Sequence, residues 1–331
     1  MDFDWLKMAG DNLKSVLLLG GAGYIGSVLA RSLLELGYKV RIFDNFLYGT
    51  SGLDQLSHPN LTVVKADLCD IKALSKACEQ VDAIVLLAAI VGRRLDDVQR
   101  ATMRDINLLA SSVAVDAAIE HGVERFIFAS SDSVYGTTRG LVYETAVPEP
   151  RTLYSRLKLR MEERIVNAKR RDFHPTILRI GSCYGYSPRM RFDLPVNKIV
   201  RDAVLNQKIS LPSGDEQRAF IHVADACQAI SRCLAGHLNM VSGEMFNVCA
   251  AGQNYSMQDI ANQVASLVPE VKINFGENSP GVEDYKLSDS KLQKLLDFSP
   301  KWGLKQGIEE LIQAIKDGKF PDPWSLQFNN N

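Results

Sequence analysis

The sequence predicts an α/β protein built on a doubly wound parallel sheet. Two observations predict it: a short apolar strand followed by a glycine turn and an amphipathic helix, and a regular alternation of strand and helix patterns afterwards. Such alternation produces parallel strands joined by right-handed crossover helices. Ligands of these sheets bind beyond the carboxyl ends of the strands. The residues at the strand ends are therefore the first candidates for chemistry.

The first strand and its turn predict a dinucleotide site. The apolar run 16–19 is followed by Gly20, Gly23 and Gly26 at G-x-x-G-x-x-G spacing, and apolar residues then recur every 3.6 residues until Gly37. A glycine turn that opens a helix presents backbone N–H groups and the positive helix end to a phosphate. The next strand, 40–43, ends in Asp44, which can accept hydrogen bonds from an adenosine ribose. Asp44 would repel a 2′-phosphate, so this Rossmann-type pattern favours NAD over NADP.

The elements that follow continue the alternation. We predict strands at 61–66, 83–87, 125–129 and 175–179, with helices at 71–78, 101–121 and 151–171. Further helices are expected at 196–205, 224–234 and 304–315, and the late strand 245–248 is expected to return to the main sheet.

This pattern predicts two domains, the second smaller, discontinuous and also α/β. Residues 1–14 read as an N-terminal extension, and residues 15–182 plus about 237–251 as an NAD-binding Rossmann domain. Residues of about 183–236 and 252–316 read as a substrate domain, and 317–331 as a C-terminal tail.

Composition and charge limit the possible partners. The chain has 331 residues and a net charge of -1, which gives no electrostatic footprint for nucleic acid or an anionic membrane. No apolar run approaches the ~20 residues of a membrane span, and the first residues lack a signal-peptide pattern. The cysteines and histidines show no metal-ligand spacing. We therefore expect a cytoplasmic protein with free thiols and no metal site.

A candidate catalytic pair lies on the predicted helix 151–171. Tyr154 and Lys158 are four residues apart and share one helical face. The pKa of a phenol is near 10, which is too high for a base at neutral pH. A nearby ammonium and a positive nicotinamide would have to lower this pKa by ~3 units, which requires ~4 kcal/mol of differential stabilisation of the phenolate. Ser131, at the end of the strand 125–129, is the best candidate for polarising a substrate oxygen, although Ser130 and Ser133 are not separable from it. The alternative is an ordinary solvated helix pair.

These motifs together resemble the extended short-chain dehydrogenases/reductases, in the NAD-dependent sugar-nucleotide epimerase/dehydratase group. The resemblance covers about residues 15–316. Its carriers are Gly20–Gly26, Asp44-Asn45, Asp67-Leu68, Leu87–Ala89, Asn107, Ser130–Gly136, Tyr154 with Lys158, Leu178-Arg179, Tyr184-Gly185 and Arg218–Asp225.

The resemblance implies roles for individual residues. Tyr154 would be the catalytic base, Lys158 would bind the nicotinamide ribose, and Ser131 would bind the reacting sugar oxygen, with Asp132 as an acid beside it. The expected cofactor-binding residues are Gly20, Gly23, Tyr24, Ile25, Gly26, Asp44, Asn45, Asp67, Leu68, Leu87, Ala88, Ala89, Asn107, Tyr154 and Lys158. The expected substrate-binding residues are Ser182, Arg189, Arg191, Asn197 and Arg218.

Two of the substrate-binding arginines have an alternative explanation. Arg189 and Arg191 follow a strand end and could clamp a diphosphate, or they could form surface or intersubunit ion pairs. The sequence also departs from the family pattern: Ser182 replaces the usual asparagine, and Glu283 replaces an arginine that pairs with the diphosphate in many members. Lys286 or Arg191 could compensate for Glu283.

The resemblance implies NAD-dependent oxidation at C4 of a nucleotide-linked sugar, with a nucleotide-sugar 4-epimerase as the main hypothesis. Dehydratases of the family commonly have Asp-Glu where this chain has Asp132-Ser133. A 4,6-dehydratase and a 4-dehydrogenase or 4-ketoreductase remain alternatives, and a non-catalytic NAD-binding regulator is a distant one. The resemblance also implies a homodimer through the helices 101–121 and 152–171. The apolar residues at 113, 117, 157, 161 and 165 fit such a pairing but do not by themselves establish it.

Overall fold

A computed structural model describes residues 13–92, 96–138, 140–211, 214–276 and 284–330. Glu283 and most of the predicted N-terminal extension lie outside these ranges. The strands are β1 (Ser15–Leu19), β2 (Lys39–Asp44), β3 (Leu61–Lys65), β4 (Ala83–Leu86), β5 (Arg125–Ser131), β6 (Leu141–Val142), β7 (His174–Ile180), β8 (Ser182–Tyr184), β9 (Lys208–Leu211), β10 (Gln217–His222), β11 (Met245–Val248), β12 (Asn254–Ser256), β13 (Lys272–Phe275) and β14 (Lys286–Leu287). The helices are α1 (Tyr24–Glu35), α2 (Ile71–Cys78), α3 (Asp97–Arg104), α4 (Ser111–Glu120), α5 (Leu153–Val166), α6 (Pro195–Asn206), α7 (Val223–Ala235), α8 (Leu238–Val241), α9 (Met257–Leu267), α10 (Ser290–Leu296) and α11 (Leu304–Lys316).

The main sheet is parallel throughout and has the strand order β11-β7-β5-β4-β1-β2-β3. Alternate residues of β1 point to opposite faces: Val16 and Leu18 join one apolar core, and Leu17 and Leu19 join the other. The late strand β11 pairs with β7 in parallel, so the predicted return to the main sheet is confirmed. The doubly wound fold expected from the sequence is therefore present.

The turn after β1 depends on close backbone contacts that only glycine allows. Gly20 has φ +85°, and a Cβ built on it would lie 2.6 Å from the backbone nitrogen of Ala88. A Cβ on Gly26 would lie 2.5 Å from the carbonyl oxygen of Gly20. These contacts bring the start of α1 directly against the end of β1.

Two long helices differ from their predicted bounds. The helix expected from about residue 101 begins at Asp97, because Asp96 and Gln99 form a capping box, and it continues through a π-helical turn at Asp105–Ala110. Helix α5 ends at Val166 rather than about residue 171. Asn167 caps the end of the helix, and the chain then turns through the bridge between Arg170 and Phe173 into β7.

Smaller sheets form the rest of the chain. Strands β12, β10 and β8 form one sheet, while β13 pairs with β9 and β14 pairs with β6. Helix α7, which the sequence assigned to the second domain, packs against α1 and against β5 and β7 of the main sheet. The domain boundaries therefore stay a prediction.

The C-terminal tail packs against the body of the protein. The Phe328 ring is buried against Phe192 and Phe320, with ring centroids 6.3 and 5.5 Å away, and the Phe192 N–H donates to the Phe328 carbonyl over 2.8 Å. The guanidinium of Arg201 lies 3.8 Å from the centre of the Trp324 ring. These contacts bring the end of the chain back towards the segment after β8.

The apolar residues that the sequence offered for a dimer face mostly pack inside the protein. Ala117, Leu157, Met161 and Ile165 are all buried within the chain. Their spacing is therefore explained by the packing of α4 and α5 within the chain, and the homodimer stays a prediction. None of the described helices has the length and apolarity needed to cross a bilayer.

Candidate active site

A crevice of about 830 Å³ lies at the carboxyl ends of the main strands. It extends from the glycine turn after β1 to the start of α5 and onward to β10. All the residues predicted for catalysis or binding line it, with the exception of Asn107 and Asn197. The topology thus brings residues from distant parts of the chain into one site.

The glycine turn and Asp44 form one end of the crevice. The Asp44 carboxylate accepts hydrogen bonds from the backbone N–H groups of Ala22 (3.0 Å) and Phe46 (2.8 Å). Burial raises the pKa of Asp44, and these two donors oppose the rise. The carboxylate is therefore fixed between the turn and the loop after β2, at the position where a Rossmann site binds an adenosine ribose.

Asp67 and Asn45 form the neighbouring wall. The Asn45 amide donates to Asp67 over 2.9 Å, and the Cys69 N–H donates to the same carboxylate. The Cys69 backbone donor, followed by the Asn45 amide, lowers the pKa of Asp67. Leu68 and the backbone of Leu87, Ala88 and Ala89 complete this wall beside Asp67.

Asn107 acts on the loop after β4 rather than on the crevice itself. Its side-chain oxygen accepts from the Ile90 N–H and its amide nitrogen donates to the Ile90 carbonyl, both over 2.8 Å. The residue is buried, and its amide is engaged with this loop. Asn107 fixes Ile90, and Ile90 lines the crevice, so a direct contact of Asn107 with the cofactor stays a prediction.

Tyr154 and Lys158 meet at the start of α5. Thr152 caps the helix by accepting from the Ser155 N–H, so Tyr154 lies in the first turn. The Lys158 ammonium lies 5.7 Å from the centre of the Tyr154 ring and donates to the Ala129 carbonyl over 2.7 Å. Burial lowers the pKa of Lys158 to about 7, and Glu162 opposes this shift. The pair faces the crevice and is not a solvated surface pair.

The serines at the end of β5 have different environments. The Ser130 hydroxyl donates to Glu162 over 2.5 Å inside the protein. The Ser131 hydroxyl lies 2.9 Å from that of Ser133 and 3.3 Å from the Asp132 carboxylate. Ser131 and Ser133 therefore have hydroxyls available at the crevice wall, whereas the Ser130 hydroxyl is engaged behind it.

Arg191 lies within the site and not on the surface. Its guanidinium donates to Asp193 through Nε over 3.2 Å and through Nη2 over 2.5 Å. Burial lowers the pKa of Arg191, but Asp193 and the nearby Tyr154 outweigh that effect and raise it. Arg191 therefore carries a permanent charge close to the predicted catalytic base.

Asn197 is a structural residue that links three elements. Its side-chain oxygen accepts from the Gly185 N–H, and its amide donates to the Arg191 carbonyl and to the Tyr24 hydroxyl. It is fully buried and does not line the crevice. Asn197 thus positions the backbone of Arg191, and its role in substrate binding stays a prediction.

Arg189, which the sequence predicts as a substrate-binding residue, lies beside Tyr48 and Asp44 at the end of the crevice near the glycine turn. Its guanidinium lies 4.2 Å from the centre of the Tyr48 ring and donates to the side chain of Asn330. Burial and Arg191 lower its pKa to about 10, so it stays charged at neutral pH, and Asp44 is among the carboxylates opposing the shift. Sequence reasoning missed Tyr48 and Asn330, because only the packed tail brings residue 330 to this wall.

Ser182 and Arg218 lie at the opposite end. Ser182 is the first residue of β8, is half-buried and lines the crevice. Arg218, on the adjacent strand β10, is mostly buried and pairs with Glu216 over 3.3 Å. Cations therefore lie along the crevice from the glycine turn to β10.

Comparison with known proteins agrees with this geometry. The model of the NAD dependent epimerase/dehydratase family matches residues 16–249. The chain belongs to that family. Members of this family are NAD-dependent enzymes, and the matched range includes the glycine turn, Asp44 and the Tyr154–Lys158 pair.

Individual relatives cover nearly the whole chain. A UDP-N-acetyl-alpha-D-glucosaminuronate decarboxylase from Bacillus cytotoxicus is 27% identical over 323 residues, which is 92% of this chain and 98% of that protein. A dTDP-D-glucose 4,6-dehydratase from Mus musculus is 27% identical over 326 residues, which is 92% of this chain and 89% of that protein.

A solved structure of similar shape contains both cofactor and substrate. It is the UDP-glucuronic acid 4-epimerase from Bacillus cereus in complex with UDP-glucuronic acid and NAD, with a TM-score of 0.83 and 26% identity. The alignment covers 92% of this chain and 99% of that one. NAD is thus the cofactor of this family member, and the crevice offers the glycine cradle and ribose carboxylate that fit it.

Proposed function

We propose that this protein is a nucleotide-sugar 4-epimerase and that its substrate is a UDP-sugar. The observation that carries the proposal is the position of Tyr154 and Lys158 on one face of α5, both lining the crevice beside Ser131. The likeness to the Bacillus cereus epimerase, which binds UDP-glucuronic acid, supports UDP as the nucleotide.

Tyr154, Ser131 and Lys158 have separate roles in the proposed reaction. Tyr154 takes the proton of the C4 hydroxyl, and Ser131 donates a hydrogen bond to the same oxygen. The Lys158 ammonium and the positive end of α5 stabilise the phenolate. NAD, when bound, would supply the two-electron acceptor and donor that the reaction needs at C4, and inversion would require the oxidised sugar to present its other face before it is reduced. Tyr154 then returns its proton to the C4 oxygen, so the sugar leaves with its composition unchanged.

We assign the diphosphate and sugar to the half of the crevice that extends from Tyr154 to β10. Arg218 on β10 and Arg191 beside Tyr154 are the proposed contacts, with Ser182 between them on β8. Arg189 lies beside Tyr48 and in the field of Asp44, so we assign it to the cofactor end. Bidentate guanidinium groups suit phosphate and carboxylate oxygens.

The turn after β5 carries a single carboxylate, Asp132, which favours epimerisation over elimination. Removing water after oxidation at C4 requires an additional acid and base, and this chain has Asp132 followed by Ser133. Epimerisation needs only the hydroxyl, the phenol and the cofactor. Incubation with UDP-glucuronic acid, UDP-glucose and the GDP-, dTDP- and CDP-sugars, with product NMR, tests this. A C4 epimer is expected; a 4-keto-6-deoxy product would replace the proposal with dehydration.

The Tyr154→Phe variant tests the assignment of the base. We expect turnover to fall by at least about 10²-fold, the lower range for general acid–base catalysis, while NAD binding is retained. Tyr143→Phe, at an exposed tyrosine away from the crevice, is the matched control and should keep wild-type turnover. Full activity of Tyr154→Phe would overturn the assignment of the base. A wild-type protein that binds NAD but turns over none of these sugars would instead favour a non-catalytic NAD-binding regulator.

We further propose that the protein is a cytoplasmic homodimer. All the cysteines are free thiols, as suits a reducing compartment. Exposed apolar side chains remain on the predicted dimer helices, at Val98, Leu109 and Val166. A second copy of the chain would cover them by pairing α3, the π-helical turn and α5 of each subunit.

A further inference from the structure

A buried ion pair lies directly behind the proposed catalytic pair. Glu162 on α5 and Arg179 on β7 are each almost fully buried. Arg179 donates through Nε to both carboxylate oxygens, over 3.1 and 3.2 Å, and through Nη2 to Oε2 over 2.7 Å. The Ser130 hydroxyl donates to Oε1 over 2.5 Å. These contacts fix the carboxylate in one orientation.

The fixed carboxylate is one helical turn from Lys158. Residues 154, 158 and 162 follow each other at four-residue intervals on one face of α5. Lys158 and Glu162 are both bonded to β5, at the consecutive residues Ala129 and Ser130. The ammonium also lies 4.6 Å from the centre of the Phe128 ring. The phenol, the ammonium and the carboxylate therefore form a row along the helix.

Other charged or titratable groups surround this row. Arg179 lies behind it on β7, Tyr135 lies under the Arg179 guanidinium in the turn after β5, and Asp132 belongs to the same turn. Arg191 approaches Tyr154 from the segment after β8. Burial lowers the pKa of Lys158 to about 7, and Glu162 is the charge that raises it. The carboxylate therefore favours the charged form of this lysine, against the burial that disfavours it.

We propose that Glu162 is a positioning residue that keeps the Lys158 ammonium charged beside Tyr154. The proposal rests on the proposed roles of Tyr154 and Lys158. Glu162 acts through Lys158 and does not touch the crevice. Arg179 and Ser130 orient its carboxylate. The sequence shows this carboxylate eight residues after Tyr154, but not the two residues that orient it.

The test compares two variants that break the same ion pair and differ in charge. Glu162→Gln removes the negative charge, so Lys158 should deprotonate at lower pH and Tyr154 should lose its proton at higher pH. Arg179→Gln removes the positive charge and leaves the carboxylate, so Lys158 should stay protonated. Glu163→Gln, at the exposed neighbouring glutamate, is the matched control. A merely structural ion pair would give the first two variants the same behaviour.

The first measurement needs no substrate. Tyrosinate absorbance is followed against pH for the NAD-loaded protein, and the titration of Tyr154→Phe in the same state identifies the Tyr154 transition. We expect Glu162→Gln to move the Tyr154 transition up by about 1 pH unit. The part of the pH profile in which kcat/KM rises with pH should move up by the same amount, so that kcat/KM at a fixed pH in that range falls about tenfold. Glu163→Gln should not move either, and Arg179→Gln should not move them upward.

The outcomes separate this inference from the proposed function. A Tyr154 transition that is the same in wild type and Glu162→Gln would overturn the role of Glu162 alone. Upward shifts of equal size in Glu162→Gln and Arg179→Gln would also overturn the role of Glu162, because loss of the ion pair as a structural element would then explain both shifts. If Tyr154→Phe does not alter the wild-type titration, the proposed base itself is overturned. Should Glu162→Gln not fold, the double variant Glu162→Gln/Arg179→Gln, whose amides can hydrogen-bond to each other, should show the same upward shift.

Discussion

At the scale of single residues, the site places a lysine where burial opposes its charge. The ordinary pKa of a lysine is 10.5, and burial lowers that of Lys158 to about 7. The unfolded chain therefore binds a proton more tightly than the native protein between these values. The native state bears a cost for this group that is fully present below about pH 7 and disappears as the pH rises to about 10.5.

We expect Lys158→Met to stabilise the protein while it abolishes turnover. The gain in the free energy of unfolding should be largest near pH 7, at about 1.4 kcal/mol per unit of displaced pKa, and it should shrink steadily towards pH 10. Urea unfolding of the wild type and variant across this pH range measures it. Lys316→Met, at an exposed lysine, should give a difference that does not change with pH. A gain independent of pH in Lys158→Met would contradict the argument.

The residues that sequence reasoning identified best are those close together in the chain. Tyr154 and Lys158 could be paired from their spacing, because four residues are about one helical turn. The surroundings of Arg189 could not be predicted, since its neighbours Tyr48 and Asn330 are each separated from it by more than a hundred residues. Asn107 and Asn197 were identified as functional, yet both bind backbone and position other residues.

At the scale of elements, the C-terminal tail connects directly to the crevice wall. The aromatic cluster of Phe192, Phe320 and Phe328 anchors the tail, and Asn330 then reaches Arg189. Asn330 also lines the crevice at the proposed cofactor end. The tail therefore completes a wall of the site that the residues of the main sheet leave open.

We expect Phe328→Ala to detach this tail. Burial of a phenylalanine is worth about 1.5–3 kcal/mol, so local opening should become roughly tenfold to a hundredfold more frequent. Hydrogen exchange of the Phe192 amide, which donates to the Phe328 carbonyl, reports that opening. Leu326→Ala, at a side chain that is 75% exposed, is the control and should exchange like wild type. Unchanged protection of Phe192 in Phe328→Ala would show that the cluster does not anchor the tail.

At the scale of the whole molecule, the apolar spacing on α4 and α5 has an internal explanation. Met161 and Ile165 belong to the core on one face of the main sheet. The exposed Val98, Leu109 and Val166 are what remains for a second copy to cover. Periodicity identified an apolar face but could not tell whether that face meets the chain's own sheet or another subunit.

We expect Leu109→Glu to convert the proposed dimer into monomers. Leu109 is 59% exposed in the π-helical turn, so a carboxylate there would be buried without a partner on association. Sedimentation velocity over a concentration series measures the change. Val147→Glu, at another exposed apolar residue far from these helices, should sediment like wild type. A monomeric wild type, or a dimeric Leu109→Glu protein, would contradict this interface.

The sequence by itself determined the doubly wound sheet, the glycine turn, Asp44 and the Tyr154–Lys158 pair. Each of these follows from interactions between residues close in the chain, namely periodicity, turn chemistry and helical spacing. Only the tertiary structure decided the bonds from Arg179 and Ser130 to Glu162, the place of Arg189 and the docking of the tail. Those contacts join segments far apart in sequence, and packing of the whole core, which no local pattern encodes, brings them together.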